Sequence, residues 1–442
     1  MKKYDKYKNS GIEWIGEIPE HWEIKKLKRL SKVKRGASPR PIDDPKYFDD
    51  NGEFSWVRIA DVSASERYLQ NTIQTLSTLG ASLSVKRLPG DLFLSIAGTV
   101  GKPIITKIKC CIHDGFVYFP ELDMNPEYLY YIFSSGQVYK GLGKWGTQLN
   151  LNTDTVGSIS IPIPTTSDIE IIISFLDEKT GEIDEAIALK NQLIALLQEE
   201  KSALINEAVT KGIDPTVPMK DSGIEWIGDI PAHWEIVNIQ DVTKKNRYSF
   251  TGGPFGSDLK SEEYTKSGVR IIQLQNIGIG EFLDDYAIYT TEKKADELYS
   301  CNIFPNDIII AKMADPVARA CMMPSNDSRY LMASDGIRLE VNTNKYNSIF
   351  LVYAINSLYF NSQAEQVSTG TTRLRIGLST LKKLKLLSPN IDEQIQIAQY
   401  IDKKTQEIDQ EIDYTKEEIA LLKEYRQSLI SEAVTGKIDV RK

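Results

Sequence analysis

Few side chains in this sequence have the type and spacing that catalysis needs. Histidine occurs three times, as His21, His113 and His233. His21 and His233 stand at matching places in two copies of one short segment and read as packing residues with satisfied rings. His113 precedes Asp114, a carboxylate able to orient an imidazole, but no serine or cysteine nucleophile accompanies them in a recognisable pattern. Cys110, Cys111, Cys301 and Cys321 form no spaced pair of metal-ligand type and no disulfide framework. The paired carboxylates Asp43-Asp44, Asp49-Asp50 and Asp284-Asp285 lie in loop-like sequence and read as solvated. Asn125-Pro126-Glu127-Tyr128 reads as a helix start, with asparagine as the cap and proline in the first turn. Phosphate loops of the form GxxxxGKS/T, GxSxG elbows and HExxH helices are missing. The chain is expected to be non-catalytic, with no metal and no cofactor of its own.

The side chains left for chemistry are those that touch nucleic acid. Between Ile24 and Ile42 stand Lys25, Lys26, Lys28, Arg29, Lys32, Lys34, Arg35 and Arg40, with no acidic residue among them. Such a run suits phosphate contacts, which give affinity without reading sequence. Base edges are read by other types: arginine pairs with guanine, and asparagine or glutamine with adenine, each through two hydrogen bonds. Gln273, Gln275 and Asn276 follow one apolar run. Thr371, Thr372, Arg373 and Arg375 lie in a later glycine loop, matched in the first half by Lys144, Thr147, Gln148 and Asn150. The net charge of −8 opposes DNA only until it is located. Residues 1–167 carry +4 and residues 220–390 carry −1, whereas 168–219 and 391–442 carry −7 and −4. The acidity sits in two short segments, and the long ones are free to bind polyanions.

What must position these residues is written twice. Ser10–Ile24 (SGIEWIGEIPEHWEI) returns as Ser222–Ile236 (SGIEWIGDIPAHWEI), and Phe175–Asp214 aligns without a gap to Tyr400–Asp439. In the longer copies Ile183, Ile187, Ile194, Leu197 and Leu204 follow steps of four and three, and Ile408, Ile412, Ile419, Leu422 and Leu429 repeat them. That is a heptad-like seam, and two copies suit a coiled coil. Lys201 and Arg426 break both seams at one level, a device that fixes register, and Gly212 and Gly436 are expected to end the helices. Ser55–Val62, Asp91–Gly98, Gly268–Gly278 and Asn306–Ala314 read as β-rich runs, followed by helix candidates at Asn125–Phe133 and Asn344–Ser357. The order is globular, helix, globular, helix. Helices kept alike beside diverged globular parts point to one shared partner and two different targets. A chain of 442 residues with 41% apolar and 26% charged side chains has a globular balance. No run approaches the roughly 20 apolar residues of a membrane span, and no apolar run follows the first lysines as in a secretory leader. A reducing, cytoplasmic setting is expected.

With these motifs in hand, the sequence resembles the DNA-specificity subunits of type I restriction–modification systems over essentially its whole length. The resemblance rests on both SGIEWIG segments, SWVRIADV, Leu88–Pro103, Gly252–Lys260, IIQLQNIG and Ser368–Asp402. It implies an α+β fold in which two globular mixed α/β target-recognition domains are separated by two long antiparallel coiled-coil helices, with an internal pseudo-twofold repeat. The segments are then 1–167 (first target-recognition domain), 168–215 (central helix), 216–391 (second target-recognition domain) and 392–442 (C-terminal helix). Within the motifs, Arg58, Thr99, Lys102 and Ser257 join the DNA-contacting candidates. The resemblance implies double-stranded DNA with a bipartite, asymmetric site as target and two copies of an adenine methyltransferase subunit as partners, with motor–nuclease subunits joining them. S-adenosylmethionine and ATP belong to those partners. The competing reading is a coiled-coil adaptor whose globular parts bind proteins rather than DNA.

Overall fold

A computed structural model describes residues 2–142, 151–224, 227–313, 315–370 and 374–441. Two helices dominate, Thr166–Lys211 and Ile391–Val434, of 46 and 44 residues. Each opens on a side-chain cap: Thr165 Oγ1 accepts from the Asp168 N–H at 3.1 Å, and Asn390 Oδ1 from the Glu393 N–H at 3.0 Å. Each closes before a glycine in the left-handed region, Gly212 at φ 76° and Gly436 at φ 70°.

The chain packs as two units, Met1–Asn191 with Lys416–Lys442, and Gln192–Thr415. These units cut across the four segments read from the sequence, because each takes a stretch of both long helices. Of the seam residues, Ile183, Ile408, Ile412, Ile419 and Leu429 are buried, and Ile187, Ile194, Leu197, Leu204 and Leu422 are half-buried. The helices run antiparallel in unit 1, where Arg426 Nε donates to Asp184 at 2.8 Å and Lys190 Nζ to Glu418 at 2.7 Å. In unit 2, Lys201 Nζ donates to Asp409 at 2.7 Å. The two cations that break the seams thus each hold an acid on the facing helix, and those acids occupy equivalent places in the repeat.

The globular parts repeat strand for strand although their sequences have diverged. Unit 1 holds a four-stranded sheet in the order Gln74–Leu76, Phe54–Val57, Cys110–Ile112, Val85–Arg87. Unit 2 holds Ile288–Thr290, Val269–Ile272, Tyr330–Met332, Asn302–Ile303 in the same order, with the same antiparallel and parallel pairings. A second sheet runs Lys34–Arg35, Phe116–Tyr118, Leu92–Ser95, Pro103–Thr106 in unit 1, with Tyr68–Leu69 added at the edge. Its counterpart in unit 2 runs Phe250–Gly252, Gly336–Leu339, Ile308–Ala311, Ala320–Met322. Strands Leu92–Ser95 and Ile308–Ala311 are buried along their whole length, so they read as continuous apolar runs rather than alternating ones.

The short repeat fastens each globular part to its helices. Trp22 is buried and its indole N–H donates to Asp168 at 3.2 Å, with His21 Nε2 at 3.0 Å from the same oxygen. In unit 2, Trp234 donates to Glu393 at 2.9 Å, with His233 Nε2 at 2.9 Å from its other oxygen. Both acids lie in the first turn of a long helix, where the helix dipole favours negative charge. A second matched tie is Tyr131 to Asp177 at 2.6 Å and Tyr353 to Asp402 at 2.5 Å. Unit 1 alone adds Arg67, which donates to Glu127 at 2.7 Å and to Asp177 and sits over the rings of Tyr68, Tyr130 and Tyr131.

Candidate nucleic-acid interface

Two pieces of backbone geometry recur and place the candidate readers. The apolar run Ser55–Val62 is not one strand: it ends at Val57, and Arg58 caps the helix Ile59–Ala64. The reason is local, since Asp61 accepts the Arg58 N–H at 2.8 Å and starts the turn. Likewise Gly268–Gly278 is a strand only over Val269–Ile272, after which Gln273 donates its N–H to Asn276 Oδ1 at 3.0 Å and a short turn, Leu274–Asn276, follows. Arg58 and Gln273 therefore occupy one position in the two units. The second piece is a close approach. Gly36 and Gly253 donate to Phe116 O at 2.9 Å and Gly336 O at 2.8 Å. A Cβ at either would collide with a backbone carbonyl, that of His113 or of Ala333. Only glycine lets these loops lie against the turns 113–116 and 333–336.

The loops diverge after that glycine. In unit 1, Ser38 and Arg40 both donate to the Asp114 carboxylate at 3.1 Å, and Arg35 Nε donates to its backbone oxygen. Burial works to raise the Asp114 pKa, but the Ser38 hydroxyl and the Arg40 and Arg35 charges outweigh it and hold the group below the usual carboxylate range. In unit 2, Arg375 donates to Asp335 at 2.7 Å, and Lys312 Nζ to Ser334 O at 2.9 Å. Burial lowers the Lys312 pKa. Phe255, Tyr264, Gln273, Gln275, Ser334 and Asp335 line an open cavity of about 380 Å³ beside this cluster.

The remaining candidates scatter. Lys25 belongs to the strand Glu23–Lys26, paired with Ser160–Ile163, and lies 3.4 Å from Glu23. Lys28 and Arg29 are exposed on the turn Leu27–Arg29, and Lys34 is exposed on the sheet edge. The basic run therefore crosses a strand, a turn and an edge rather than forming one stripe. Arg58 Nε donates to Gln74 at 2.7 Å, leaving its terminal nitrogens with no partner among the described residues. Thr99 shares a hydrogen bond with Ser63 at 2.6 Å, and Lys102 donates to Ser63 O and Ser65 O at 3.0 and 2.6 Å. Burial lowers the Lys102 pKa. Ser257 is exposed and bonds Asp258 at 3.2 Å, and Gln275 donates to Gln273 at 3.2 Å. Asn276 corrects the sequence reading. It is 1% exposed and gives its amide N–H groups to Leu283 O and Tyr286 O at 3.0 and 2.8 Å. It holds Gln273 in place, and its amide is spent on these contacts within the protein. Lys144, Thr147, Gln148, Asn150, Thr371, Thr372 and Arg373 lie outside the described residues. The anchors Asp114, Asp335 and Lys312 were missed, since a lone charge in sequence carries no sign of what it holds.

Burial pushes the thiols of Cys110 and Cys321 up to about 12 and that of Cys111 to about 11, so none is a thiolate at neutral pH. Among the described residues no three His, Cys, Asp or Glu side chains are grouped to hold a metal ion. Nor is any helix there long and apolar enough to cross a membrane.

The family model for the type I restriction modification DNA specificity domain matches residues 19–199 and again 231–421. The chain belongs to that family. Its two matched stretches each take in one globular part and most of the long helix that follows. A relative in Methanocaldococcus jannaschii, the type I restriction enzyme MjaVIII specificity subunit, is 21% identical over 96% of this chain and 94% of its own length. The putative MjaX specificity subunit of the same organism is 25% identical over 97% and 96%. The StySPI specificity subunit of Salmonella potsdam is 20% identical over 96% and 90%. Among solved structures, a chain from a study of complex assembly and conformational transition of the type I R-M system aligns with a TM-score of 0.68 at 15% identity, over 94% of this chain and 98% of that one. The HsdS subunit of Thermoanaerobacter tengcongensis aligns at 0.52 and 16% identity, over 95% and 98%. These structures share the fold of the type I specificity domains described above.

Proposed function

We propose that this specificity chain reads a bipartite, asymmetric site in double-stranded DNA, one half with each globular part, and makes no or breaks no covalent bond itself. One observation carries the reading: the two globular parts keep one strand order and one glycine approach, yet differ in the side chains those supports present. Identical supports with different readers suit one nucleic-acid geometry and two sequences. The repeated helices, with matching seams, suit two copies of one partner, an adenine methyltransferase subunit, and motor–nuclease subunits join that complex. S-adenosylmethionine and ATP bind those partners and not this chain, and the assembly works in the cytoplasm.

The test is co-expression of the full chain with a candidate type I adenine methyltransferase subunit from the same organism, followed by mapping of adenine methylation across the host genome. A single bipartite motif with one modified adenine in each half is the expected outcome. Co-purification of the two proteins without any methylated motif would overturn the reading and favour a protein-binding scaffold.

A further inference from the structure

The two most exposed large apolar side chains among the described residues are Ile73 at 85% and Phe255 at 83% exposure; Tyr414, next in order, reaches 66%. A solitary exposed apolar residue is ordinary on a protein surface. The placement of these two is not. One lies in each unit, and each stands beside the equivalent reader position. Ile73 directly precedes Gln74, whose side chain holds Arg58 at 2.7 Å. Phe255 lines the same cavity as Gln273 and Gln275. They reach these places from different loops, so the repeat of the fold does not by itself explain the coincidence.

In unit 2 the loop is built to present the ring. Gly253 lies so close to the Ala333 carbonyl that no side chain fits there, whereas a Cβ at Gly252 would meet only the movable end of Lys312. The next residue, Pro254, is buried, and Phe255 is turned out between Gly256 and the Gln273 corner. An apolar side chain placed among amide and guanidinium groups matches one feature of a base pair in the major groove, the C5-methyl of thymine, which hydrogen-bonding groups cannot read.

We propose that Phe255 and Ile73 are specificity-determining residues, each packing on a thymine methyl in the half-site read by its own unit. The proposal rests on the DNA reading above. Every half-site that holds a methylatable A·T pair also holds a thymine, so the required group is present in both halves.

The experiment uses the full chain with its methyltransferase. Methylation motifs are mapped for the unaltered chain, for Phe255→Ala and for Ile73→Ala. Each substitution is expected to relax one T·A position, in one half-site and a different half for each. Duplexes carrying deoxyuridine at that position should then bind the unaltered complex about fourfold more weakly, the effect of one methyl group, and bind the matching variant with no further loss. Thermal unfolding of both variants should match that of the unaltered chain, since neither side chain is packed. An unchanged motif, relaxation at a G·C position, or loss of methyltransferase association with DNA preference intact would each overturn the proposal. Absence of any motif with the unaltered chain would instead overturn the DNA reading itself.

Discussion

The two globular units have the same supports and different working ends. Gly36 and Gly253 make the same backbone hydrogen bond and the same close approach to a carbonyl. In front of them unit 1 presents Arg40 tied to Asp114, whereas unit 2 presents the bare ring of Phe255 with Arg375 tied to Asp335 from another loop. At the shared cap position one unit has Arg58 and the other Gln273. What is kept is whatever the backbone or the helix junction cannot do without. What varies at the loop after the glycine and at the cap position is what a ligand would meet.

Substitutions can break this division, and the largest effects belong to the shared supports. Gly253→Ala and Gly36→Ala should each destabilise the chain by about 3 kcal/mol or more, because a methyl group meets a carbonyl that cannot move. Chemical denaturation of both variants checks this, and a small effect in either would show that its loop can rearrange. A slightly smaller loss, about 3 kcal/mol at most, is expected for Arg67→Ala. It removes the cation from Glu127 and Asp177 and leaves each with one tyrosine hydroxyl, from Tyr68 and Tyr131, Asp177 being half-exposed and partly screened. The matching junction of unit 2 has no such cation among the described residues, Asp402 being held there by Tyr353. Double-mutant cycles on Arg426 with Asp184 and on Lys201 with Asp409 should give couplings below about 1 kcal/mol, the arginine pair being the larger because two of its nitrogens engage the carboxylate. Both couplings should vanish in molar salt.

The smallest expected difference is in acid. His113 is half-buried, and burial lowers its pKa from 6.5. The folded chain therefore refuses a proton that the unfolded chain accepts. The stability this contributes is present above about pH 6.5 and is lost as the pH falls from there toward the lowered folded value. The equivalent residue of unit 2 is Ala333, which cannot titrate. Denaturation midpoints at pH 7.5 and 5.5 should fall less in His113→Gln than in the unaltered chain.

The long helices were legible in the sequence because their apolar seam persists over many turns and is written twice, and the ends because Gly212 and Gly436 have no competing use. The strands were less so. Ile308–Ala311 and Leu92–Ser95 are buried on both faces and lack the alternation that marks a half-buried strand. The turn at Arg58 was hidden because arginine is not a usual cap, and the signal sat three residues on, in Asp61. Asn276 misled because an amide that reads adenine and an amide that caps a turn are one residue type. Phe255 escaped notice for the opposite reason, since a phenylalanine in sequence is read as core until its surroundings are seen.

The composition of the two units also orders events in time. Unit 2 is one uninterrupted stretch of chain, whereas unit 1 takes its last part from Lys416 onward. Leu429, Ile430, Ala433, Val434 and Ile438 complete the core into which Trp22 and Tyr128 pack, and the Asp439 N–H closes on Lys2 O at 2.9 Å. On the ribosome, the unit begun first must wait for the residues beyond Lys416, and the unit begun second can finish before it.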